Sequence, residues 1–278
     1  MNSYLRHPVL IHSLPKGQQS VRGVTILGDE VFLVRRLTPG VEVYAAGKWT
    51  LTRRLDVSGL EQPWDLTSCR KFRCLYIAEW GKDVVHRVSL TGETTQWKVN
   101  DGADGLSVAA DPGCHVIVTC GEAQKLKEFT TGGDLVREVV LQDDLLHPWH
   151  AVLRSGDRFV VCHGVDADPL QRVCVVDFAG RVARSYGGPP GSAAGRLSSP
   201  LHVAVDEEGN VLVADRGSNR VVLLNEKLSD VRELVGEDEV KRSPAMVPRR
   251  LWLDEMRGLL LVSDGENKDV LIFQVMNV

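Results

Sequence analysis

A pattern of short apolar runs returns along the whole chain. In its clearest copy, a proline opens an apolar run (200–206), a polar turn with glycine follows, and two further apolar runs come next (211–215 and 220–224). The copies begin at six anchor residues: Val21, Pro63, Gly105, Pro148, Pro200 and Pro248. The intervals between successive anchors are 42, 42, 43, 52 and 48 residues. So regular a period indicates an array of similar units rather than one irregular core.

Each copy has the pattern of four strands. The first three runs are short, nearly continuous in Val, Ile and Leu, and bounded by Gly, Asn and Asp, as expected for strands buried on both faces. A fourth, more polar run follows them, at 50–55, 95–99, 135–141, 182–186 and 231–235. Its alternation fits an outer strand that faces solvent, with Lys and Arg discouraging edge pairing. Four strands in every 42 to 52 residues are typical of the blades of a β-propeller.

The sixth copy, from Pro248, has only three strands, and the segment 4–12 can supply the fourth. We therefore predict an all-β fold: a six-bladed β-propeller of four-stranded antiparallel blades, in which the N-terminal strand completes the last blade. One such domain accounts for residues 1–278. Because a closed ring needs no second copy to cover its edges, we expect a monomer.

The stretch 186–206, with its Gly-rich approach to Pro200, resembles an NHL repeat, and so does its continuation through Val213-Ala-Asp215 and Asn219-Arg220-Val221. The resemblance is good at 246–273, moderate at 61–90 and 146–176, and faint before residue 60. The NHL family includes the C-terminal propellers of TRIM-NHL proteins. This resemblance implies a six-bladed propeller that serves as a protein-interaction or RNA-binding surface. The RING, B-box and heptad segments of TRIM proteins are not seen in the sequence.

Composition limits the classes of partner that we expect the protein to bind. The formal net charge is −4, which excludes a strongly basic nucleic-acid coat, and we expect no DNA partner. No apolar run approaches the roughly 20 residues needed to cross a bilayer, and no secretory leader is apparent, so we expect no membrane partner. The six cysteines match no zinc spacing and are too few for a disulfide scaffold. Buried thiols in a cytoplasmic protein are the simpler interpretation.

Alignment of the copies brings polar and aromatic residues to one mouth of the predicted channel. They follow either the anchors or the second strands: Trp64, Asp65, Trp80, Lys82, Trp149, His150, His202, Arg216, Arg249 and Arg250. Trp and Arg are the residue types that most often dominate binding energy at protein interfaces. We therefore predict a non-enzymatic recognition module that binds a protein partner on this face.

Two alternatives stay open on the same face. In the first, the tryptophans stack on bases and the arginines and Lys82 contact phosphates, as in an RNA-binding surface. In the second, Asp65, His150 and His202 hold a metal ion in the channel of a hydrolase or lyase. A lone histidine is more often a satisfied structural residue than a ligand, which weakens the second alternative.

No catalytic motif is found: there is no Gly-x-Ser-x-Gly, His-Glu-x-x-His, phosphate loop or Gly-x-Gly-x-x-Gly. We accordingly predict no catalytic residue, no cofactor and no metal. Asp166 and Asp168 form only a weak candidate for a divalent ion, because further ligands are not apparent. Asp215 and Arg220 are predicted to form a structural ion pair, and Trp252 to pack between blades.

Overall fold

The computed structural model describes residues 3–109, 113–154, 158–241 and 243–277. Six four-stranded antiparallel sheets follow one another around a ring. The first strands of the blades line the channel: β2 (Val21–Leu27), β6 (Pro63–Cys69), β10 (Gly105–Val108), β14 (Pro148–Arg154), β18 (Pro200–Val205) and β22 (Pro248–Asp254). Each begins at the anchor residue that the sequence identified. The predicted six-bladed propeller is confirmed.

The second and third strands form the middle of each blade. The second strands are β3 (Glu30–Arg35), β7 (Cys74–Glu79), β11 (Val116–Cys120), β15 (Arg158–His163), β19 (Val211–Asp215) and β23 (Leu259–Asp264). The third strands are β4 (Val41–Ala45), β8 (Val84–Ser89), β12 (Lys125–Phe129), β16 (Gln171–Asp177), β20 (Arg220–Leu224) and β24 (Val270–Met276). Every residue of β7, β11, β19 and β23 is buried, because neighbouring blades cover both faces.

The outer strands are the polar ones. They are β5 (Thr50–Leu55), β9 (Thr94–Lys98), β13 (Leu135–Val140), β17 (Val182–Gly188) and β21 (Val231–Val235), and in the last blade β1 (Tyr4–Leu14). β1 pairs with β24, so the N-terminal strand completes the sixth blade as predicted. The Tyr4 hydroxyl also donates a buried hydrogen bond of 3.0 Å to Asp206 of the fifth blade. Two short helices, Arg216–Ser218 (3-10) and Glu237–Val240 (α1), lie between strands.

The core is divided among the blade interfaces. Six clusters of buried apolar side chains each combine residues of two neighbouring blades; Phe32 and Leu75, for example, join the first blade to the second. Trp252 packs beside the cluster between the last and first blades, as predicted. Among the described residues, no helix has the length and apolar character that crossing a membrane requires.

Gly23 marks a close contact between two first strands. A Cβ at this position would lie 2.4 Å from Leu66 Cβ of the second blade. We expect Gly23→Ala to lower the free energy of unfolding by about 1–3 kcal/mol, because the blades must separate to admit the methyl group. Gly188→Ala is the matched control, since a Cβ added there would have no atom within 4 Å. Urea unfolding of both variants tests this; equal stabilities would contradict it.

Candidate functional site

A β-bulge at the start of the first strands shapes one mouth of the channel. In five blades the pairing register skips the residue directly after the anchor, as between Pro63 and Asp65. The skipped residues are Arg22, Trp64, Trp149, Leu201 and Arg249. A bulge bends its strand and redirects the side chain of the extra residue. β10 pairs without a shift, and its Leu106 does not line this mouth.

The five skipped side chains surround a pocket at this mouth, which we call the arginine pocket. It has a volume of about 130 Å³ and is lined by Val21, Arg22, Trp64, Trp149, Leu201, Arg216, Arg249 and Arg250. The Arg22 guanidinium carbon lies 4.3 Å from the centroid of the Trp64 ring, in cation–π contact. The face that carries the pocket also bears the loops between second and third strands, and we call it the anchor face.

Most of the positive charge in the arginine pocket is uncompensated. Within the described residues, Arg22, Arg216 and Arg249 have no ion pair and no side-chain hydrogen bond, although Arg22 is only 8% exposed. The Nε atoms of all three and Nε1 of Trp64 are buried donors without a protein acceptor. Burial and the neighbouring arginines lower the pKa of Arg22 to about 9 and that of Arg249 to about 10. Both side chains are therefore still cationic at neutral pH.

Below the pocket, a layer of polar side chains fills the channel; this channel plug consists of Asp65, Ser107, His150, His202 and Arg250. Arg250 Nε donates to Asp65 Oδ1 at 3.0 Å, and both side chains are almost fully buried. The Arg250 Nη2 atom also donates to the Trp64 carbonyl at 3.0 Å. Asp65 accepts two backbone N–H groups, from Leu66 and Leu106, each at 2.9 Å. The buried carboxylate is therefore fully satisfied by protein donors.

The two histidines of the plug stack on each other, with ring centroids 3.6 Å apart. His150 Nε2 donates to the Leu106 carbonyl at 2.9 Å, and His202 Nδ1 accepts the Leu251 N–H at 3.4 Å. Burial lowers the pKa of His150, and burial together with His150 and Arg250 lowers that of His202 well below its usual value. Both rings are therefore neutral at physiological pH.

Three possible metal ligands lie close together in the plug, but a protein cation already occupies their carboxylate. The donor atoms of Asp65, His150 and His202 lie within 4.8 Å of one another. However, the Arg250 guanidinium is bound to the Asp65 carboxylate, and His150 Nε2 is committed to a carbonyl. A divalent cation at Asp65 would share this one carboxylate with a buried guanidinium, whose positive charge repels it. These residues do not fit a resident metal ion.

An acidic cavity lies next to the arginine pocket on the anchor face. It has a volume of about 500 Å³ and is lined by Glu79, Trp80, Gly81, Asp83, Asp101, Gly102, Ala103, Asp104, Glu122 and Ala123. The two sites share a boundary, because Trp80 packs against Trp64 with ring centroids 4.4 Å apart and the planes tilted by 37°. Burial raises the pKa of Asp104, and Glu122 adds to this effect. Acidic side chains therefore lie on one side of the tryptophan pair and arginines on the other, although Asp101 is paired with Lys125 and Lys127.

Several charged residues that follow the second strands have structural roles. Arg220 Nε donates to Asp215 at 2.8 Å, which confirms the predicted pair, and Arg172 holds Asp144 at 2.7 Å in the preceding blade. Lys82 contacts Glu79 and Glu61, both at 3.1 Å. It therefore belongs to the structural ion pairs and not to the arginine pocket.

Asp166 and Asp168, the weak candidate ligands for a divalent ion, likewise make contacts within the protein. Asp168 pairs with His147 at 2.9 Å and accepts the Val165 N–H at 2.7 Å, while Asp166 accepts the Ser199 hydroxyl. These contacts tie the 163–172 loop to its neighbours.

The structure separates the ten residues of the sequence-derived face into three groups. The arginine pocket contains Trp64, Trp149, Arg216, Arg249 and Arg250. Asp65, His150 and His202 belong to the plug beneath it, where Arg250 also reaches, and Trp80 and Lys82 lie beside the pocket. Sequence reasoning missed Arg22, which lies in the faintest repeat. Arg22 could have been found from its position one residue after an anchor, because Trp64, Trp149 and Arg249 occupy the same position in their repeats.

No known family profile matches the sequence, and no curated protein is detectably similar to it. Solved structures share its fold. A streptogramin B lyase superposes with a TM-score of 0.67 at 11% identity, covering 98% of both chains. The WD40 propeller domain of Doa1 gives 0.62 at 16% identity over 97% of both chains. An auxiliary nutrient binding protein from Bacteroides thetaiotaomicron gives 0.68 at 13% identity, over 94% of this chain and 70% of the other.

These likenesses support the propeller and nothing finer. The chain is a six-bladed β-propeller, and the resemblance to NHL repeats is not confirmed. Because one fold carries a lyase, a WD40 domain and a nutrient binding protein, function has to be argued from the site.

Proposed function

We propose that this propeller is a non-enzymatic recognition module that binds a protein partner on its anchor face. The observation that carries the proposal is the pairing of unsatisfied arginines with clustered tryptophans around one mouth. Trp80 is 46% exposed and packs against Trp64, which holds a large apolar surface in place at low entropic cost. Trp and Arg are the most frequent hot-spot residues at protein interfaces. WD40 and nutrient-binding propellers among the structural neighbours are consistent with a binding module.

RNA binding is the second candidate, because Trp64 and Trp149 stand beside Arg216 and Arg249. The acidic cavity argues against it. A single strand that leaves the arginine pocket on the Trp80 side would pass over Asp83, Asp104 and Glu122. A polyanion is repelled there, whereas a protein chain can present both signs of charge.

We place the module in the cytoplasm as a monomer. None of the six cysteines, all within the described residues, forms a disulfide, and Cys69 and Cys74 lie opposite each other in register without a bond. Mostly buried cysteines outside disulfides suit a reducing compartment. Each blade has a covered inner strand and a polar outer strand, so no sheet edge calls for a second copy.

Site-specific crosslinking tests the proposed face. A photoreactive phenylalanine analogue replaces Trp80, and in the control it replaces Met256, which is 74% exposed in a turn between first and second strands on the opposite face. In lysate of the native source, we expect position 80 to capture a protein that position 256 does not. Combining the probe with Arg216→Glu should reduce capture by roughly thirtyfold, as for loss of a hot spot worth about 2 kcal/mol.

Nuclease treatment separates the two candidates. Capture that survives nuclease and is lost in the Arg216→Glu protein supports protein recognition. Equal capture from both faces would contradict the proposed surface. Recovery of crosslinked RNA, with protein capture abolished by nuclease, would establish the RNA alternative instead.

A further inference from the structure

The arginine pocket has the donors of an anion site without an anion-bearing side chain of its own. Four buried donors belong to residues that line it, the Nε atoms of Arg22, Arg216 and Arg249 and the Trp64 Nε1, and none has an acceptor among the described residues. The Asp65 carboxylate beneath is bound to Arg250, and the Asp264 carboxylate acts electrostatically on Arg249 without forming an ion pair with it. Orphaned buried donors are rare in folded proteins and call for a specific explanation. An anionic group provides both the acceptors and the missing charge.

The size and charge of the pocket select the kind of anion. A pocket volume of about 130 Å³ is sufficient for one tetrahedral oxyanion. A carboxylate brings one negative charge and two oxygens. A phosphate monoester brings nearly two charges and three acceptor oxygens, which better match three uncompensated guanidinium groups. Guanidinium forks also bind such oxygens in bidentate fashion.

We propose that the arginine pocket binds a phosphate monoester carried on a side chain of the protein partner. This inference rests on the proposed function, since it names the group by which the partner is held. The phosphorylated residue enters between Trp64 and Trp149, whose rings form the apolar walls of the mouth. Arg22, Arg216 and Arg249 surround its phosphate, and Arg250 stays with Asp65.

The acidic cavity adds a second requirement to the partner. It begins on the far side of the Trp64–Trp80 pair, so residues next to the phosphorylated one lie over Asp83 and Asp104. Lysine or arginine at these neighbouring positions complements the cavity. The preferred ligand is therefore a phosphorylated residue in a basic sequence context.

Thermal unfolding of the full chain with small anions tests the phosphate site. The probes are phenyl phosphate, dimethyl phosphate and acetate at constant ionic strength. We expect phenyl phosphate to raise the melting temperature in a saturable way, because a ligand that binds only the folded state stabilises it. Dimethyl phosphate, with one charge and two free oxygens, and acetate should give much smaller shifts.

Two variants show where on the protein phenyl phosphate binds. Arg249→Gln should weaken phenyl phosphate by roughly ten- to hundredfold, the usual loss for a hydrogen bond to a charged group. Arg184→Gln, on the exposed part of β17, is the control and should bind like the wild type. The site is overturned if phenyl phosphate gives no saturable shift, if dimethyl phosphate binds equally well, or if Arg249→Gln retains full affinity.

Its failure is distinguishable from failure of the proposed function. If the protein captured at position 80 is still captured after phosphatase treatment of the lysate, the recognition face stands and the phosphate inference falls. If phosphatase abolishes that capture, both hold.

Discussion

Replacing Asp65 by alanine is expected to lower the free energy of unfolding by about 3–5 kcal/mol, the cost of leaving a buried charge without its partner. Arg250 is 4% exposed and donates to Asp65 Oδ1 at 3.0 Å, and no other described carboxylate pairs with it. The variant also removes the acceptor of the Leu66 and Leu106 N–H groups. Urea unfolding at neutral pH measures the loss.

A double variant shows how much of this loss is electrostatic. Asp65→Ala combined with Arg250→Met removes both charges, and we expect it to be more stable than Asp65→Ala alone. Arg54→Ala, which breaks an exposed pair with Glu42, is the control and should cost about 0–1 kcal/mol. Strict additivity of the two single changes would show that Asp65 and Arg250 are not coupled.

Mild acid is expected to destabilise the propeller through three buried neutral histidines. Burial is the main cause that lowers the pKa of His150 and His202, and burial with Arg172 lowers that of His163 to about 4. Their pKa in the unfolded chain is about 6.5, so the unfolded state takes up protons first as the pH falls. Stability is complete above about pH 6.5 and declines below it, by up to about 1.4 kcal/mol per pH unit for each histidine.

Urea unfolding across the window between about pH 6.5 and pH 4 measures this slope. His202→Asn should reduce the slope by up to about 1.4 kcal/mol per pH unit, even if the variant is less stable throughout, because the slope counts protons and not contacts. His7→Gln, at a side chain that is 84% exposed, is the control. An equal slope in the wild type and in His202→Asn would contradict a buried neutral His202.

The sequence predicted the blades because each blade repeats the same local rules. Apolar runs bounded by turn residues mark the strands, and the anchors at Val21, Pro63 and Pro200 are the first residues of β2, β6 and β18. The closing strand was predictable for a different reason: the last repeat lacked a fourth run. β1 extends to Leu14, two residues beyond the predicted segment, because its pairing with β24 continues to Val270.

The candidate site was only partly predictable, because its two layers depend on bulges. Strict alternation places residues one and two positions after an anchor on opposite faces of a strand. The bulges redirect the first of them, so Trp64 and Arg249 line the pocket while Asp65 and Arg250 fill the channel beneath. Sequence grouped all four as one surface. The pairing of Asp65 with Arg250 joins blades two and six and leaves no periodic signal.

The most direct test of the account is a binding selection on the immobilised full chain with two matched peptide libraries. The libraries have the same degenerate sequences and differ only in whether the central residue carries a phosphate monoester. We predict enrichment from the phosphorylated library alone, with lysine or arginine favoured beside the central residue, and loss of that enrichment in Arg249→Gln but not in Arg184→Gln. Equal retention of both libraries, or enrichment that Arg249→Gln leaves intact, would contradict recognition through the arginine pocket.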